Sequence, residues 1–457
     1  MDPQYEALAL LIVRLENDRP RSGGLCWHRW NESPGAKPHG LPEDVRRSST
    51  RERPFKNLPE AGAWHYFDKH VEQLLFPPRD SRGSRWVCCP NDLWLDLREV
   101  AGGPARRTRI DLLERVTTPL DPRQTFGLIH LSLLPTAENG APDTLKWGEA
   151  VSATFNHGRQ KFELTLIDGD RTTKVSSGRP VRTLAEELFG DPDSSLERDF
   201  YSVYMAQYPA ALRDDPAGQR EWRRALSQHR GEMQTQNQNG SDREREERQT
   251  LQMRGGATAL MLGRGAAFSL RTPIGSSYAR SFRSYWAESI FLGLMQQYAL
   301  EEFQQRLADF GDRLSPEIGH LRQDWLKFRN VLWWSQLSRS AEIPQELMSR
   351  LRSELGTERL FTDLEGDLAV YSEHQHQEGL ANLQIYGSAI VAFGPLATII
   401  GLIGASGCLL ALLLAGSVVF ALCVMVVVRV QLKGPPTWWA KKPRLHGEGG
   451  IRTHEAG

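Results

Sequence analysis

The period of the hydrophobic positions changes along this chain, and each change marks a predicted element. Apolar and polar residues alternate in Trp86 to Leu97 and again in Phe126 to Leu133 (FGLIHLSL), the spacing of half-buried strands. Phe162 to Ile167 (FELTLI) runs into Asp168-Gly169-Asp170, which reads as a strand ending in a turn. Between and after these strands, Thr144 to Phe155, Val181 to Phe189 and Gly218 to Met233 carry helical spacing. The apolar patch from Ala7 to Val13 is read as a short buried helix. Residues from about Asn31 to Ala61 are rich in Pro, Gly, Ser and Arg and lack periodicity, so they read as loop or disorder. Gln234 to Thr250 has no large apolar residue, which predicts a linker or an exposed polar helix end.

Beyond that polar stretch the spacing becomes helical. Phe282, Tyr285, Leu292, Met295, Ala299, Phe303, Leu307 and Phe310 recur at three- and four-residue steps, predicting one amphipathic helix from Ser281 to Phe310. Ser315-Pro316-Glu317 then supplies an N-cap, a proline at the first helical position and an acid in the first turn. The helix it opens carries Ile318, Leu321, Trp325, Phe328 and Leu332 on one stripe, and Trp333 and Trp334 are expected to close the hairpin by core packing. From Pro344, the residues Leu347, Leu351, Leu355, Phe361, Leu364, Leu368 and Tyr371 keep a near-heptad, coiled-coil-like seam. A helix unbroken from Pro344 to Gly404 would be about 90 Å long, with Gly356 and Gly366 as its weak points. This stalk is acidic: Glu346, Glu354, Glu358, Asp363, Glu365, Asp367, Glu373 and Glu378 face only Arg350, Arg352 and Arg359.

The last apolar stretch, Ile385 to Val430, has no charge before Arg429 and is roughly twice the ~20 residues that one helix needs to cross a bilayer. Small residues at Gly401, Gly404, Ala405, Ser406 and Gly407 divide it into 385–404 and 408–430, predicting a transmembrane hairpin with a very short turn. Arg429, Lys433, Lys441, Lys442 and Arg444 follow the second span, and the membrane side that keeps Lys and Arg is usually the cytoplasmic one. The expectation is a multi-pass protein of the cell (inner) membrane, with both termini cytoplasmic and the lipid bilayer as a partner.

Composition narrows the classes further. Lys and Arg number 56 against 56 Asp and Glu, so no global charge points to a nucleic acid partner. Five cysteines, with Cys408 and Cys423 inside the predicted spans, give no disulfide framework. Asp2 and Glu6 stand where a signal peptide carries positive charge, so none is expected. His374 and His376 are two apart and would point about 200° from each other on a helix, so they cannot share a metal. Cys88-Cys89 with His65 and His70 lacks zinc-site spacing and reads as buried cysteines. Gly263-Arg264-Gly265 lacks the GK[ST] of a phosphate loop, and Phe268 occupies the last glycine of a dinucleotide fingerprint. No Ser-His-Asp or metal-hydrolase signature is present, so no enzyme and no organic cofactor are expected.

The predicted order of an α/β cytoplasmic domain, a long-helix stalk and a C-terminal two-helix transmembrane hairpin resembles the CorA family of divalent-cation transporters. Pro395-Leu396-Ala397-Thr398-Ile399-Ile400-Gly401-Leu402-Ile403-Gly404 fits the family's first-span pattern, in which Pro-Leu is followed by glycines six and nine residues after the proline. Where the family carries Gly-Met-Asn, this chain has Gly404, Ala405 and Ser406. The resemblance implies a homo-oligomer, a pentamer, with Mg2+ or another divalent cation as the transported or regulatory ion. Gln384, Ser388, Pro395 and Thr398 fall on one helical stripe of the first span and are the pore candidates, with Gly404, Ala405 and Ser406 at the mouth. Ser388 and Thr398 could equally bond their own backbone. No metal ligand is assigned.

The expected organisation is an N-terminal segment (1–61), an α/β domain (62–233), a polar linker (234–255), a helical stalk region (256–384), the hairpin (385–430) and a basic tail (431–457). Two functions fit it. One is a divalent-cation channel of low or altered selectivity, because a serine hydroxyl reaches less far than the absent asparagine amide. The other is a ligand-sensing effector or signalling protein derived from that scaffold, without selective metal transport.

Overall fold

The computed structural model describes residues 5–15, 83–118 with short gaps, 124–134, 143–153, 162–175, 200–230, 240–310, 317–333 and 342–371, with single positions elsewhere, Gln384 among them. Residues 1–371 form one compact unit, and residues 372–457 are assigned to a second.

Among the described residues the first unit is built on a twelve-stranded sheet. Its strands are β1 (Ala7–Leu15), β2 (His28–Arg29), β3 (Ser84–Cys88), β4 (Leu93–Glu99), β5 (Arg106–Thr117), β6 (Thr125–Leu133), β7 (Phe162–Asp168), β8 (Arg171–Lys174), β9 (Phe200–Gln207), β10 (Thr250–Gln252), β11 (Thr258–Leu262) and β12 (Gly265–Leu270). The main order is β10-β11-β12-β9-β1-β6-β5-β4-β7-β8, with β3 on β5 and β2 on β3. Among the described strands, only β9 and β12 pair in parallel.

β1 explains why the start of the chain misleads a periodicity reading. The segment is a central strand, not the expected short helix, and it pairs antiparallel with β6 and with β9. Leu8, Leu10 and Ile12 enter the core on the first face of the sheet, while Ala7, Ala9, Leu11 and Val13 enter the core on the second. A strand buried on both faces has no polar side to alternate with, so its sequence is a continuous apolar run.

The alternating run Trp86 to Leu97 is two strands rather than one. The C-terminal part of β5 pairs with β3 (Trp86↔Arg115), and its N-terminal part pairs with β4 (Trp94↔Arg109). Between them lies Pro90, which has no N–H to give to a ladder. β7 ends in the expected turn, with Gly169 at φ 57, and beyond it pairs with β8, a strand not expected from the sequence.

Helices cover both faces. On the second face lie α1 (Thr144–Ala153) and α2 (Pro216–Ser227), which bury Trp147, Val151, Trp222 and Leu226. Asp215 caps α2 by accepting from the backbone of Ala217 and Gly218, with Pro216 at the first helical position. The polar stretch Gly240–Gln249 forms α3, anchored by Arg224 to Glu246 and by Arg245 to Glu354. On the first face lie α4 (Ser276–Ser281), a π-helical turn (Phe282–Trp286), α5 (Ala287–Phe310), α6 (Glu317–Val331), α7 (Glu342–Leu355) and the helical residues 357–371, here α8.

The expected long stalk is corrected by this packing. Leu347, Met348 and Leu351 of α7 are buried against α5 and β11, so the seam read as a stalk stripe is a face laid on the core. At Gly293 an added Cβ would come within 2.8 Å of Leu351 Cδ2, so glycine there lets α5 and α7 approach closely. Gly356, at φ 71, interrupts the helix between α7 and α8, because a left-handed residue cannot continue it.

The expected boundary between an α/β domain and a helical stalk is corrected as well. Strands β10 to β12 come after residue 249 and join the same sheet, so the described fold is one mixed sheet with helices on both faces rather than a domain followed by a stalk and a membrane hairpin. Among the described residues no helix is long and apolar enough to cross a membrane. The assignments as a CorA-like transmembrane transporter and as a multi-pass inner-membrane protein with cytoplasmic termini therefore find no support, and are corrected. The apolar run at 385–430, on which they rested, lies outside the described residues, as do the loop at 31–61 and the tail at 431–457.

Candidate functional site

The site is a row of buried polar side chains between the first face of the sheet and α5. A strand sends alternate side chains to opposite faces, and on β6 this places His130 and Ser132 beside Leu128 on the first face. β5 contributes Glu114 to the same face. Its register shifts between Ile110 and Leu112, leaving Asp111 without a partner in the ladder. That bulge re-aims Asp111 towards the helices.

Four groups form the first cluster. Arg85 Nε donates to Glu114 Oε2 (2.6 Å) and its Nη2 to Glu288 Oε1 of α5 (2.5 Å), while Nη1 reaches the Leu75 carbonyl (3.2 Å). His130 Nε2 lies 2.9 Å from Glu114 Oε1. The side chains of Arg85, Glu114, His130 and Glu288 are only 3, 4, 2 and 8% exposed, so the cluster is largely screened from water. In the second cluster Arg283 donates to Asp111 and Ser132, and Ser132 also bonds Asp111. The Arg283 guanidinium lies over the Tyr5 ring at 5.1 Å. Arg283 belongs to the π-helical turn, whose extra residue per turn is a frequent mark of functional sites.

The protonation states are set by the surroundings. Burial opposes charge on Arg85, but Glu114 and Glu288 outweigh it and raise its pKa above the usual guanidinium value. Burial also opposes charge on Glu114, yet Arg85 and His130 hold its carboxyl down to about 2. Glu288 goes the other way. Burial pushes its pKa up and Glu114 adds to the effect, while Arg85 offsets only part of it.

From α5 the polar contacts continue to the last helices. Gln296 donates to the Leu332 carbonyl (2.6 Å) and accepts from Arg352 Nε (2.7 Å), and Thr357 donates to Gln297 (2.7 Å). The Arg352 guanidinium sits 4.5 Å from the Trp333 ring centre. Trp333 stacks on Phe361 at 4.1 Å and 4°, and Phe361 on Trp325 at 5.0 Å. Trp333 thus has the core role expected of it. Burial lowers the Arg352 pKa to about 10.

A separate strained pair lies at the end of α2. His229 has φ 59, the left-handed position where a helix usually ends in glycine. Its backbone N–H bonds the Leu226 carbonyl and the next N–H bonds the Ala225 carbonyl, closing the helix there. The imidazole reaches Ser202 and meets the Tyr204 ring edge-on at 6.0 Å. Burial pushes the His229 pKa down to about 4, with Arg264 adding to the effect. An added Cβ on Gly265 would come within 2.9 Å of the His229 ring and 2.8 Å of the Ser202 carbonyl, so this position has no room for a side chain.

Of the candidate residues read from the sequence, Gln384 is helical and exposed. Ser388, Pro395, Thr398, Gly404, Ala405 and Ser406 lie outside the described residues, as do His374 and His376. Cys88 is buried on β3, and Gly263-Arg264 forms the turn between β11 and β12. Among the described residues no group of three or more His, Cys, Asp or Glu could hold a metal ion. The ionic row is not among the sequence candidates. Its one signal in the sequence is the pair His130 and Ser132 on alternate positions of an otherwise apolar strand.

No protein-family model matches the chain, and neither the curated proteins nor the solved structures contain a significant match.

Proposed function

We propose that the chain is a ligand-sensing, signalling type of protein, in which the sheet is the sensing body and α5 relays its state to α7 and α8. The observation that supports this is the buried ionic row. Replacing a buried ion pair by apolar residues of similar volume is often neutral or stabilising, so such a row is poorly explained by stability alone. It is better suited to fixing one geometry between two bodies that could otherwise slide. Here α5 is tied to the sheet near its N-terminal end through its own Glu288 and through Arg283 of the π-helical turn that precedes it, and to the last helices through Gln296 and Gln297. The ligand is unassigned.

Amide hydrogen exchange tests the relay. Asp111→Asn should weaken the Arg283 contact and lower protection in 342–371, far from the substitution. Leu11→Ala, on the opposite face, serves as the control for general destabilisation and should leave protection in 342–371 higher at matched global stability. Equal loss in the two variants at matched stability would remove the relay.

A further inference from the structure

α3 differs from the other helices in having nothing apolar to hold it. Its sequence, GSDREREERQ, carries no apolar side chain, and of residues 242–249 only Gln249 is buried. A helix of ten residues is marginal in water even when its residues favour helix, and an apolar face normally makes up the difference. α3 is ordered by charge instead.

Its contacts reach two other elements. Arg224 of α2 pairs with Glu246 at 2.9 Å, both side chains being mostly buried, and Arg220 approaches Glu247 at 3.8 Å. On the other side Arg245 makes two hydrogen bonds to Glu354 of α7, one of them Nε to Oε2 at 3.0 Å, and Arg350 of α7 donates to the Arg248 carbonyl. Glu354 is the anchor. Its side chain is 2% exposed, whereas that of Arg245 is 56% exposed. The backbone N–H of Gly263, in the turn between β11 and β12, donates to the same carboxylate at 3.1 Å. Among the described residues Arg245 is the one cation bonded to Glu354, so an enclosed carboxylate takes its counter-charge from a helix that lies in water.

Glu354 also stands two residues before Gly356, whose left-handed backbone separates α7 from α8. From the other side of this joint Thr357 donates to Gln297 of α5. The joint is thus held by polar contacts on both sides, and α3 supplies those of one side.

We propose that α3 is an electrostatic strap: Arg245 on Glu354 fastens it beside the joint between α7 and α8, and rising ionic strength releases the strap and loosens the joint. The strap uses neither the ionic row nor α5, so it stands or falls apart from the relay.

Salt acts on α3 before it acts on its neighbours. The Debye length falls from about 30 Å at 0.01 M salt to about 3 Å at 1 M, within the reach of the exposed pairs Arg220–Glu247 and Arg243–Glu247. α2 and β11 are held by apolar packing, through Trp222 and Leu226 in one case and Ala259 and Met261 in the other, so they stay closed when α3 opens.

Amide hydrogen exchange of the native full-length chain at about 0.01 M and about 1 M sodium chloride tests the strap without requiring any variant to fold. Protection in 242–249 should fall roughly three- to tenfold at high salt while α2 and β11 keep theirs, and protection in 354–360 should fall with it. Glu354→Gln, which keeps an acceptor for Gly263 and removes the charge, should expose 242–249 by roughly tenfold or more already at low salt, with a smaller response to added salt. Protection in 242–249 that ignores salt, that falls only together with α2 and β11, or that falls while 354–360 is unchanged would overturn the strap. So would unchanged protection of 242–249 in Glu354→Gln at low salt. The relay is read in Asp111→Asn at constant salt, so the two results are separable.

Discussion

The two faces of the sheet are closed by different chemistry. On the second face, α1 and α2 lay Trp147, Val151, Trp222 and Leu226 into one core with Ala9, Leu11 and Ile129, and here Trp147 donates to Thr108 and the buried Arg115 to the Phe189 carbonyl, both neutral partners. On the first face, α5 lays Ile290, Phe291 and Leu294 against Leu10 and Leu128, but beside them runs the row Arg85, Glu114, His130, Glu288, Asp111 and Arg283. Apolar packing is tolerant of small displacements, whereas a hydrogen-bonded charge in a dry site is satisfied in one arrangement only. The second face holds the fold together. The first face also fixes where a helix sits.

Breaking a charged contact from one side should have the largest effect. Arg85→Ala leaves Glu114 and Glu288 buried without their cation, and a loss on the order of 3–5 kcal/mol, measured by urea unfolding, is expected. A smaller loss would mean that water enters the site and the row is less enclosed than its geometry. Leu11→Ala sharpens the other half of the comparison. It opens a cavity in the apolar face and should cost about 2–5 kcal/mol without changing the pH dependence.

His229 gives an effect of intermediate size. It pays for a left-handed backbone that glycine adopts freely, so His229→Gly gains locally and loses the Ser202 contact, for a net change of about 1 kcal/mol or less. Its pH signature is more telling. With the folded value depressed to about 4 against 6.5, stability is fully present above 6.5 and is lost as pH falls towards 4. His229→Gly should remove that acid-side slope. The smallest effect belongs to the exposed pair Arg359 and Asp363, whose side chains are 89 and 63% exposed. Arg359→Ala should fall within about 0.5 kcal/mol of the native chain.

How much of this the sequence displays differs between the faces. Strands with one polar side, such as Phe162 to Asp168, announce themselves by alternation, and Gly169 announces their turn. β1, β11 and β12 do not, because they are buried on both sides and present only an unbroken or small-residue apolar run. The helices of the first face are legible because Leu321, Trp325 and Phe328, or Leu347 and Leu351, repeat at helical spacing. What that spacing cannot say is which body the stripe packs on, so a seam laid on α5 reads as a free stalk. Residues 234–250 show their polarity, but not that α3 is held by Arg224 and Arg245, contacts made far apart in the chain. The ionic row is hidden for the same reason. Arg85, Glu114 and Glu288 are separated by up to 203 positions, and only the fold brings them together.

The most direct test is to replace the Asp111–Arg283 pair by apolar residues of similar size, as Asp111→Leu with Arg283→Met, and to measure unfolding and hydrogen exchange on the same sample. If the row fixes geometry rather than supplying stability, the double variant should keep its urea stability within about 1 kcal/mol of the native chain while α7 and α8 lose protection. A double variant that loses several kcal/mol, with protection falling evenly over both faces, would contradict it.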